Sequence, residues 1–426
     1  MPPIDDHPLR YTLANELHAR PFPAMEAPHV AAYLAIKNPG EAAERDRAVD
    51  LAHLVKLLDR FGLPHPPPGA THYYGKLGKH WLKWEQHTEF VTYTAFTEGL
   101  PDRVFDGSEF DVFPADWLAE MPGQRVTSVL VRVEPMPTAD RIRDSLRDWF
   151  VPESLAVARV LDDAAIVAGD FRVDSSGNMR FAVFVDPPTG ARRIGRIVQR
   201  LCEIETYKSM SMLGFSRVRS ISGQLNDLDA RLTALMGQMM HADEPAEETL
   251  HKLLSISGEL EKLSAQCAFR FGATGAYEAI VAQRITALRE TRYEGRQTFA
   301  EFMMRRYEPA MRTVKSSERR LEAMADRSIR AGNLLRTRVD VDRSAQNQAL
   351  LESMDKRSDL QLRLQRTVEG LSVVAISYYA VSLASYLMYP LQDATGLSKG
   401  MLTAIITLPV VGVVWLMIRR LTRKLH

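Results

Sequence analysis

Two long stretches without a formal charge, near the end of the chain, constrain its fold more than any other feature. They are Leu371–Tyr389 and Met401–Ile418. The nineteen residues of the first stretch, at about 1.5 Å each in a helix, extend about 28 Å, close to the hydrocarbon thickness of a bilayer. The eleven residues between the stretches, Pro390–Gly400, suit a short loop joining antiparallel helices. The sequence therefore predicts two transmembrane helices; the alternative is a helical hairpin buried in a soluble core.

The charges that flank these stretches predict their orientation. Basic side chains lie outside both stretches, at Arg363, Arg366, Arg419, Arg420, Arg423 and Lys424. The loop carries one acidic and one basic residue, Asp393 and Lys399. By the positive-inside rule, both outer flanks lie in the cytoplasm and the loop lies outside. Met1–His7 has no basic segment followed by an apolar run, so we expect no signal peptide and a cytoplasmic N-terminus.

Composition excludes several classes of protein. A chain of 426 residues is too long for one simple core, so we expect two or more folded units. Its 54 basic and 53 acidic side chains give a net charge of +1, which offers no reason to bind nucleic acid. The two cysteines, Cys202 and Cys267, lie far apart and indicate free thiols in a reducing compartment, with no disulfide framework or thiolate metal site.

Residues 1–188 are predicted to form an α/β cytoplasmic domain. Runs of β-branched and aromatic residues between turn-forming segments indicate strands. The predicted strands are His29–Ile36, Trp81–Phe96, Val126–Val133, Ala164–Val173 and Arg180–Val185. Two helices are predicted among them: Glu41–Phe61, which ends at Gly62, and Thr138–Phe150, with Thr138 as its N-cap.

Residues 189–308 are predicted to be helical, because glycine and proline become sparse there. The predicted helices are Ala191–Leu213, Ile221–Met240, Ala246–Leu263 and Ala276–Tyr307, with a turn at Gly272–Gly275. Residues 309–370 form a predicted stalk. No proline lies between Pro309 and Pro390, so one helix can continue from the stalk into the first span. Apolar residues recur along the stalk at three- and four-residue steps, which predicts helix pairing or homo-oligomerisation.

The remaining segments follow from the two uncharged stretches. They are transmembrane helix 1 (residues 371–389), an external loop (390–400), transmembrane helix 2 (401–418) and a basic cytoplasmic tail (419–426).

Hydroxyl side chains form one stripe along the first predicted span. The stripe consists of Ser372, Tyr379, Ser382, Tyr386 and Tyr389. Because hydroxyls are unfavourable in lipid, we expect the stripe to face protein or water. In a ring of such helices it lines a pore. The alternative is that these side chains join neighbouring helices, with Tyr386 and Tyr389 as anchors at the membrane interface. Neither span contains an acidic residue, which disfavours a carboxylate proton relay.

A second polar group lies in the N-terminal part. In the segment Trp84–Phe90, Glu85, His87 and Glu89 alternate with other residues, so they share one face if the segment is a strand. Together with His18 they are candidates for a divalent-metal or regulatory site. The alternative is a solvated sheet face or a network of ion pairs. No enzyme is expected, because the chain lacks a Walker-type phosphate loop, H-E-x-x-H and G-x-S-x-G.

Four long segments resemble the signature segments of one bacterial family of membrane proteins. They read HPLRYTLANELHARPF (His7–Phe22), LKWEQHTEFVTYTAF (Leu82–Phe96), GRIVQRLCEIETYKSM (Gly195–Met210) and LQLRLQRTVEGLSVVAISYYAVSLASYL (Leu360–Leu387). The family is the domain-of-unknown-function family 3422, and the resemblance runs nearly from end to end. It implies a protein of the bacterial inner (cytoplasmic) membrane and no particular activity.

The order of the parts is also similar to that of the CorA-type magnesium channels. Those proteins have a cytoplasmic α/β domain, long helices, a stalk continuous with the first of two C-terminal spans, and a basic tail, and they assemble as pentamers. They carry Gly-Met-Asn where the first span ends. Here the matching place, Tyr386–Pro390, reads YLMYP, so no selectivity residue is carried over.

Together these observations predict an α+β membrane protein of CorA-like architecture. The leading hypothesis is a homo-oligomer that conducts or transports a cation, with a divalent cation as the candidate ligand. The resemblance to CorA-type channels implies a pentamer. The competing hypothesis is a membrane-anchored scaffold or interaction protein that transports nothing. The expected partners are the lipid bilayer and further copies of the chain.

Overall fold

The computed structural model describes residues 4–16, 22–38, 45–239, 245–388, 390 and 398–424. It contains two compact units. Unit 1 comprises Met1–Asp243 and His251–Ala331, and unit 2 comprises Glu244–Leu250 and Gly332–His426. Unit 1 thus extends past residue 188, where the sequence predicts a domain boundary, and includes most of the predicted helical region.

The strands of unit 1 form a single mixed sheet. They are β1 His29–Lys37, β2 His72–Leu77, β3 His80–Gln86, β4 Phe90–Glu98, β5 Gln124–Pro135, β6 Ala156–Val160, β7 Ala165–Gly169, β8 Met179–Val185 and β9 Thr291–Arg292. Their order across the nine-stranded sheet is β2-β3-β4-β1-β5-β8-β7-β6-β9. Strands β5 and β8 pair in parallel, and the other neighbours are antiparallel. The unit is therefore α+β, and the α/β layout predicted for residues 1–188 is wrong, because the sheet is almost wholly antiparallel, with one parallel pair.

The central strand β1 confirms the predicted strand His29–Ile36 and shows why that run is almost wholly apolar. Its residues are buried because both faces of the strand are covered. On one face, Leu34 and Ile36 belong to a core cluster that includes Leu54. On the other face, the hydroxyl of Tyr33 lies 2.7 Å from that of Thr206, in a helix described below.

Short helices precede or connect the strands of the sheet, and Leu54 of the second and Trp117 of the third lie in the core cluster with Leu34. These helices are α1 Arg10–Glu16, α2 Arg47–Arg60, α3 Ala115–Ala119 and α4 Ala139–Trp149, with a 3-10 helix at Gly107–Val112. Helix α2 begins after Asp46, whose side chain accepts a hydrogen bond from the Ala48 amide, and it ends just before Gly62 at φ +62°. Thr138 caps α4 through the Arg141 amide, as predicted. Residues 41–44 of the predicted helix Glu41–Phe61 lie outside the described residues.

Fewer and longer helices follow than the sequence predicts. Helix α5 runs unbroken over Ala191–Met239, and α6 over Ala246–Leu288. The turn predicted at Gly272–Gly275 is wrong, because a glycine in a helix interior costs only about 1 kcal/mol and packing can offset it. Thr274 lies so close to Gly214 of α5 that a Cβ added there would be 2.1 Å from its hydroxyl oxygen.

The predicted helix Ala276–Tyr307 is interrupted. Strand β9 pairs with β6 between α6 and the short helix α7 Phe299–Arg306. Thr298 and Glu301 form a reciprocal capping box that begins α7 anew. The break therefore has a local cause that helical periodicity does not reveal.

The last two helices are the ones that carry the uncharged stretches. Helix α8 spans Glu308–Leu387, 80 residues without a break, which confirms that stalk and first stretch form one helix. Helix α9 spans Lys399–Lys424 and includes the second stretch and the basic residues after it. Both contain a segment long and apolar enough to cross a membrane, judged by length and composition. From residue 340 to residue 368 every side chain of α8 is exposed.

Candidate functional site

The polar segment around Glu85, His87 and Glu89 is a hairpin turn and not part of one strand. Strand β3 ends at Gln86 and β4 begins at Phe90, so the predicted single strand Trp81–Phe96 is wrong. The His87 amide donates to the Phe90 carbonyl at 2.9 Å and closes the turn. The three candidate side chains therefore do not share one strand face.

The turn is held from one side by Arg45. This guanidinium donates to the carbonyls of His87 and Phe90, at 2.8 and 3.2 Å. It also pairs with Asp50 of α2. A buried guanidinium thus donates to two carbonyl oxygens of the turn, and the Phe90 oxygen accepts from it in addition to the His87 amide.

Glu89 is an internal counter-ion. Its side chain is 1% exposed and lies 2.5 Å from Nη2 of Arg270 in α6. The Tyr277 hydroxyl donates to its Oε1 at 2.8 Å. Burial raises the pKa of Tyr277, and the hydrogen bond to Glu89 raises it further, so the phenol stays protonated and donates. Glu89 therefore ties the β3–β4 turn to α6, and its charge is already balanced by Arg270.

Glu85 belongs to a second network of polar side chains, which extends from the sheet to α5 and α6. Lys83 lies 3.2 Å from Oε1 of Glu85 and donates to Oε1 of Gln199 at 2.8 Å. Gln199 donates to Glu203 at 2.7 Å, and Glu203 pairs with Arg284 of α6. The network thus contains two ion pairs joined by the neutral Gln199, and each charge has an opposite charge beside it, as expected for ion pairs that are largely withdrawn from water.

His87 stands between two spaces in unit 1. A small cavity of about 30 Å³ lies between the sheet and α5, and Lys83 and Glu85 line it. A separate groove of about 310 Å³ lies at the β3–β4 turn. His87, Phe90 and Tyr207 line both, and the imidazole of His87 stacks on Phe90 with ring centres 4.4 Å apart. The cavity has room for one or two water molecules among polar groups.

Among the described residues, no cluster of metal-binding side chains supports the divalent-metal hypothesis. Within the described residues, no three His, Cys, Asp or Glu side chains come close enough to hold one ion. His18 lies outside the described residues. Burial raises the pKa of the Cys202 thiol, which also lines the cavity, so it stays protonated and is a poor ligand or nucleophile. A metal or regulatory site at His18, Glu85, His87 and Glu89 stays a prediction, checked by metal analysis of the purified chain.

The residues of the hydroxyl stripe on α8 lie in different environments. Ser372 donates to the Val368 carbonyl within the helix at 2.7 Å. Tyr379 is 67% exposed and Tyr386 77%. Ser382 and Tyr386 line a groove of about 570 Å³ together with residues of α9. Tyr389 lies outside the described residues. Two of the five predicted residues thus meet at one groove.

The structure adds residues that the sequence pattern missed. Lys399 and Thr403 of α9 line the same groove. Ser377 is 6% exposed, and its hydroxyl and that of Ser385 are buried without a hydrogen-bond partner among the described atoms. Small residues at helix-face spacing, such as Ser377 and Ala384, are a known signal of close packing between membrane helices and could have marked this face.

Arg270, Tyr277 and Arg284 were also missed. They lie 181, 188 and 81 residues from their carboxylate partners. No local pattern of sequence indicates pairs so far apart.

These features define a class: an α+β protein with a mostly antiparallel sheet, long helices, and two apolar C-terminal helices that are candidates for membrane spans. The chain belongs to the family described as protein of unknown function (DUF3422), whose model matches residues 5–425. This match confirms the family resemblance of the four sequence segments. Neither the curated proteins nor the solved structures include a match to the chain.

Proposed function

We propose that this protein is a homo-oligomer of the bacterial inner membrane, anchored by the apolar parts of α8 and α9 with both termini in the cytoplasm. The observation that carries the proposal is exposure. Leu371, Val374, Leu383 and Leu408 are exposed large apolar side chains on these two helices. A soluble core helix buries such residues. Their exposure favours lipid over the alternative of a buried hairpin in a soluble core.

Oligomerisation follows from the rest of α8. Between residues 340 and 368 every side chain of the helix is exposed in the described part of the chain, including leucines such as Leu350, Leu360 and Leu364. An isolated helix in water gains little stability from backbone hydrogen bonds alone and relies on packing of an apolar face. Further copies of the chain, held in the same membrane, are the partners that fit.

Cation conduction is the activity that we attach to this assembly. Its support is the exposure of Tyr379 and Tyr386, whose phenols are poorly placed against lipid and well placed against neighbouring copies or water. Hydroxyl oxygens present lone pairs to a passing cation. The similarity to CorA-type channels is one of organisation, and the place of their Gly-Met-Asn signature reads Tyr386–Pro390 here. A scaffold without transport is the competing function.

Flux measurements separate the two functions. The purified protein is reconstituted in liposomes, and Mg²⁺ and K⁺ flux is compared with that of Tyr379→Leu, Ser382→Leu and the matched control Val374→Leu, whose exposed side chain lies on another face of α8. We expect flux that the first two substitutions reduce and the control does not. Flux no higher than in empty liposomes would leave only the scaffold, and equal flux in all variants would remove the stripe from the path.

A further inference from the structure

We propose that residues 346–372 of α8 pair with the same segment of other copies in a parallel, in-register bundle of more than two helices. This inference rests on the proposed membrane anchoring and names the surface and the partner through which the oligomer forms. The segment lies in unit 2.

Charged and neutral side chains lie on opposite sides of this segment of the helix. In a heptad frame lettered a to g, apolar residues occupy the inner positions: Met354 and Val368 at a, and Leu350, Leu364 and Leu371 at d. The segment contains eight charged side chains, and seven of them lie at b, c or f. These seven are Glu352, Asp355, Lys356, Asp359, Arg363, Arg366 and Glu369. One side of the helix is therefore charged, and the opposite side is almost neutral.

The neutral side of the helix is wider than a two-stranded coiled coil needs. A two-stranded coiled coil buries mainly a and d, and charged residues usually flank them at e and g. Here e and g are uncharged, at Leu351, Ser353, Ser358, Leu360, Gln365 and Thr367. The neutral surface thus covers four of seven positions, or roughly 200° of the helix. Such a width lets each helix contact two neighbours, as in a closed ring.

The proposed membrane anchor determines the direction of the partner helices. The apolar part of α8 begins at Leu371, directly after the neutral segment, so copies anchored in one membrane run parallel and start at the same height. Each residue then meets its own counterpart. Three polar layers, at Asn347, Arg357 and Gln361, interrupt the apolar seam. Polar seam residues specify register at a cost in stability. Arg357 forms no ion pair with any described residue of its own chain.

Disulfide cross-linking in native membranes tests the seam. The two natural cysteines are buried, so background is low. Leu364→Cys at position d is compared with Leu362→Cys at position b, a substitution of the same residue type two positions away on the charged side. Both side chains are exposed in the chain, so neither substitution disturbs its fold. We expect several-fold more cross-linked dimer for Leu364→Cys. Equal yields, or more from Leu362→Cys, would overturn the inference.

A double substitution tests the number of copies. In a parallel bundle, g of one helix faces e of the next heptad on its neighbour. Leu360→Cys with Gln365→Cys should therefore give a ladder of products beyond the dimer. A ladder that stops at two chains would overturn the larger bundle.

The mass of the purified protein in detergent shows whether the chain is an oligomer at all, and so separates a failure of the bundle from a failure of the proposed function. An oligomer that lacks these cross-links refutes the bundle alone, whereas a monomer without cross-links refutes both. Arg357→Leu gives an independent readout: it should raise the temperature at which the oligomer dissociates, and Arg363→Leu should not. A lower dissociation temperature for Arg357→Leu would contradict its place in the seam.

Discussion

The ion pair between Glu89 and Arg270 predicts how strongly the β3–β4 turn depends on α6. Glu89→Gln keeps the shape of the side chain and removes its charge. Arg270, whose side chain is 15% exposed, then stays almost buried without its counter-ion. Breaking a buried pair on one side costs about 3–5 kcal/mol. Since Arg270 retains some contact with water and Tyr277 can still donate to the amide oxygen, we expect about 3 kcal/mol.

The assay is urea unfolding of the full chain in detergent, followed by tryptophan fluorescence. Trp84 and Trp117 are buried in the core cluster next to this turn and report its unfolding. A double-mutant cycle supplies the control: Glu89→Leu and Arg270→Leu should each be costly, and the double variant should be less costly than their sum, because no unpaired charge is left. A cost below about 1 kcal/mol for Glu89→Gln, or strict additivity in the cycle, would refute this reasoning.

Two further predictions concern unit 1. Gly195→Ala should destabilise it by about 1–3 kcal/mol, because an added Cβ would lie 1.7 Å from the Pro23 carbonyl oxygen. Gly223→Ala, on the same helix with nothing within 4 Å, should stabilise it by about 0.5–1 kcal/mol. In the same urea assay, a Gly195→Ala variant as stable as the unchanged chain would contradict the contact. Burial lowers the pKa of His53 below its ordinary 6.5, so stability should fall as pH drops through 6.5 toward the lower folded-state pKa, since the unfolded chain then binds more protons. Unfolding free energies at several pH values should show a shallower acid-side loss in His53→Gln, and an unchanged slope would contradict it.

Local patterns predicted those parts of the fold that have local causes. The absence of proline between Pro309 and Pro390 was enough to predict that α8 is continuous. The apolar run at His29 predicted β1, and Thr138 predicted the start of α4. In each case the residues that decide the structure are neighbours in sequence.

The errors arose where distant contacts decide. The turn at His87 contains no glycine or proline, and Arg45 and Arg270 stabilise it from other elements. Gly272 indicated a turn by composition, yet the packing of α6 against α5 near Gly214 keeps the helix intact. The candidate site depends on the same kind of contact, so the sequence could name Glu85 and Glu89 and could not show that Glu89 is already paired.

The side of the membrane on which the loop between the two apolar helices lies can be measured directly. Single cysteines are placed at Asp393, in the loop, and at Ser358 of α8 as the control, in a chain whose two natural cysteines are buried. Intact cells are treated with a maleimide that crosses the outer but not the inner membrane. We expect labelling at position 393 in intact cells and at position 358 only after the inner membrane is opened. Labelling at position 393 only after opening, or recovery of the chain in the aqueous fraction without detergent, would contradict it.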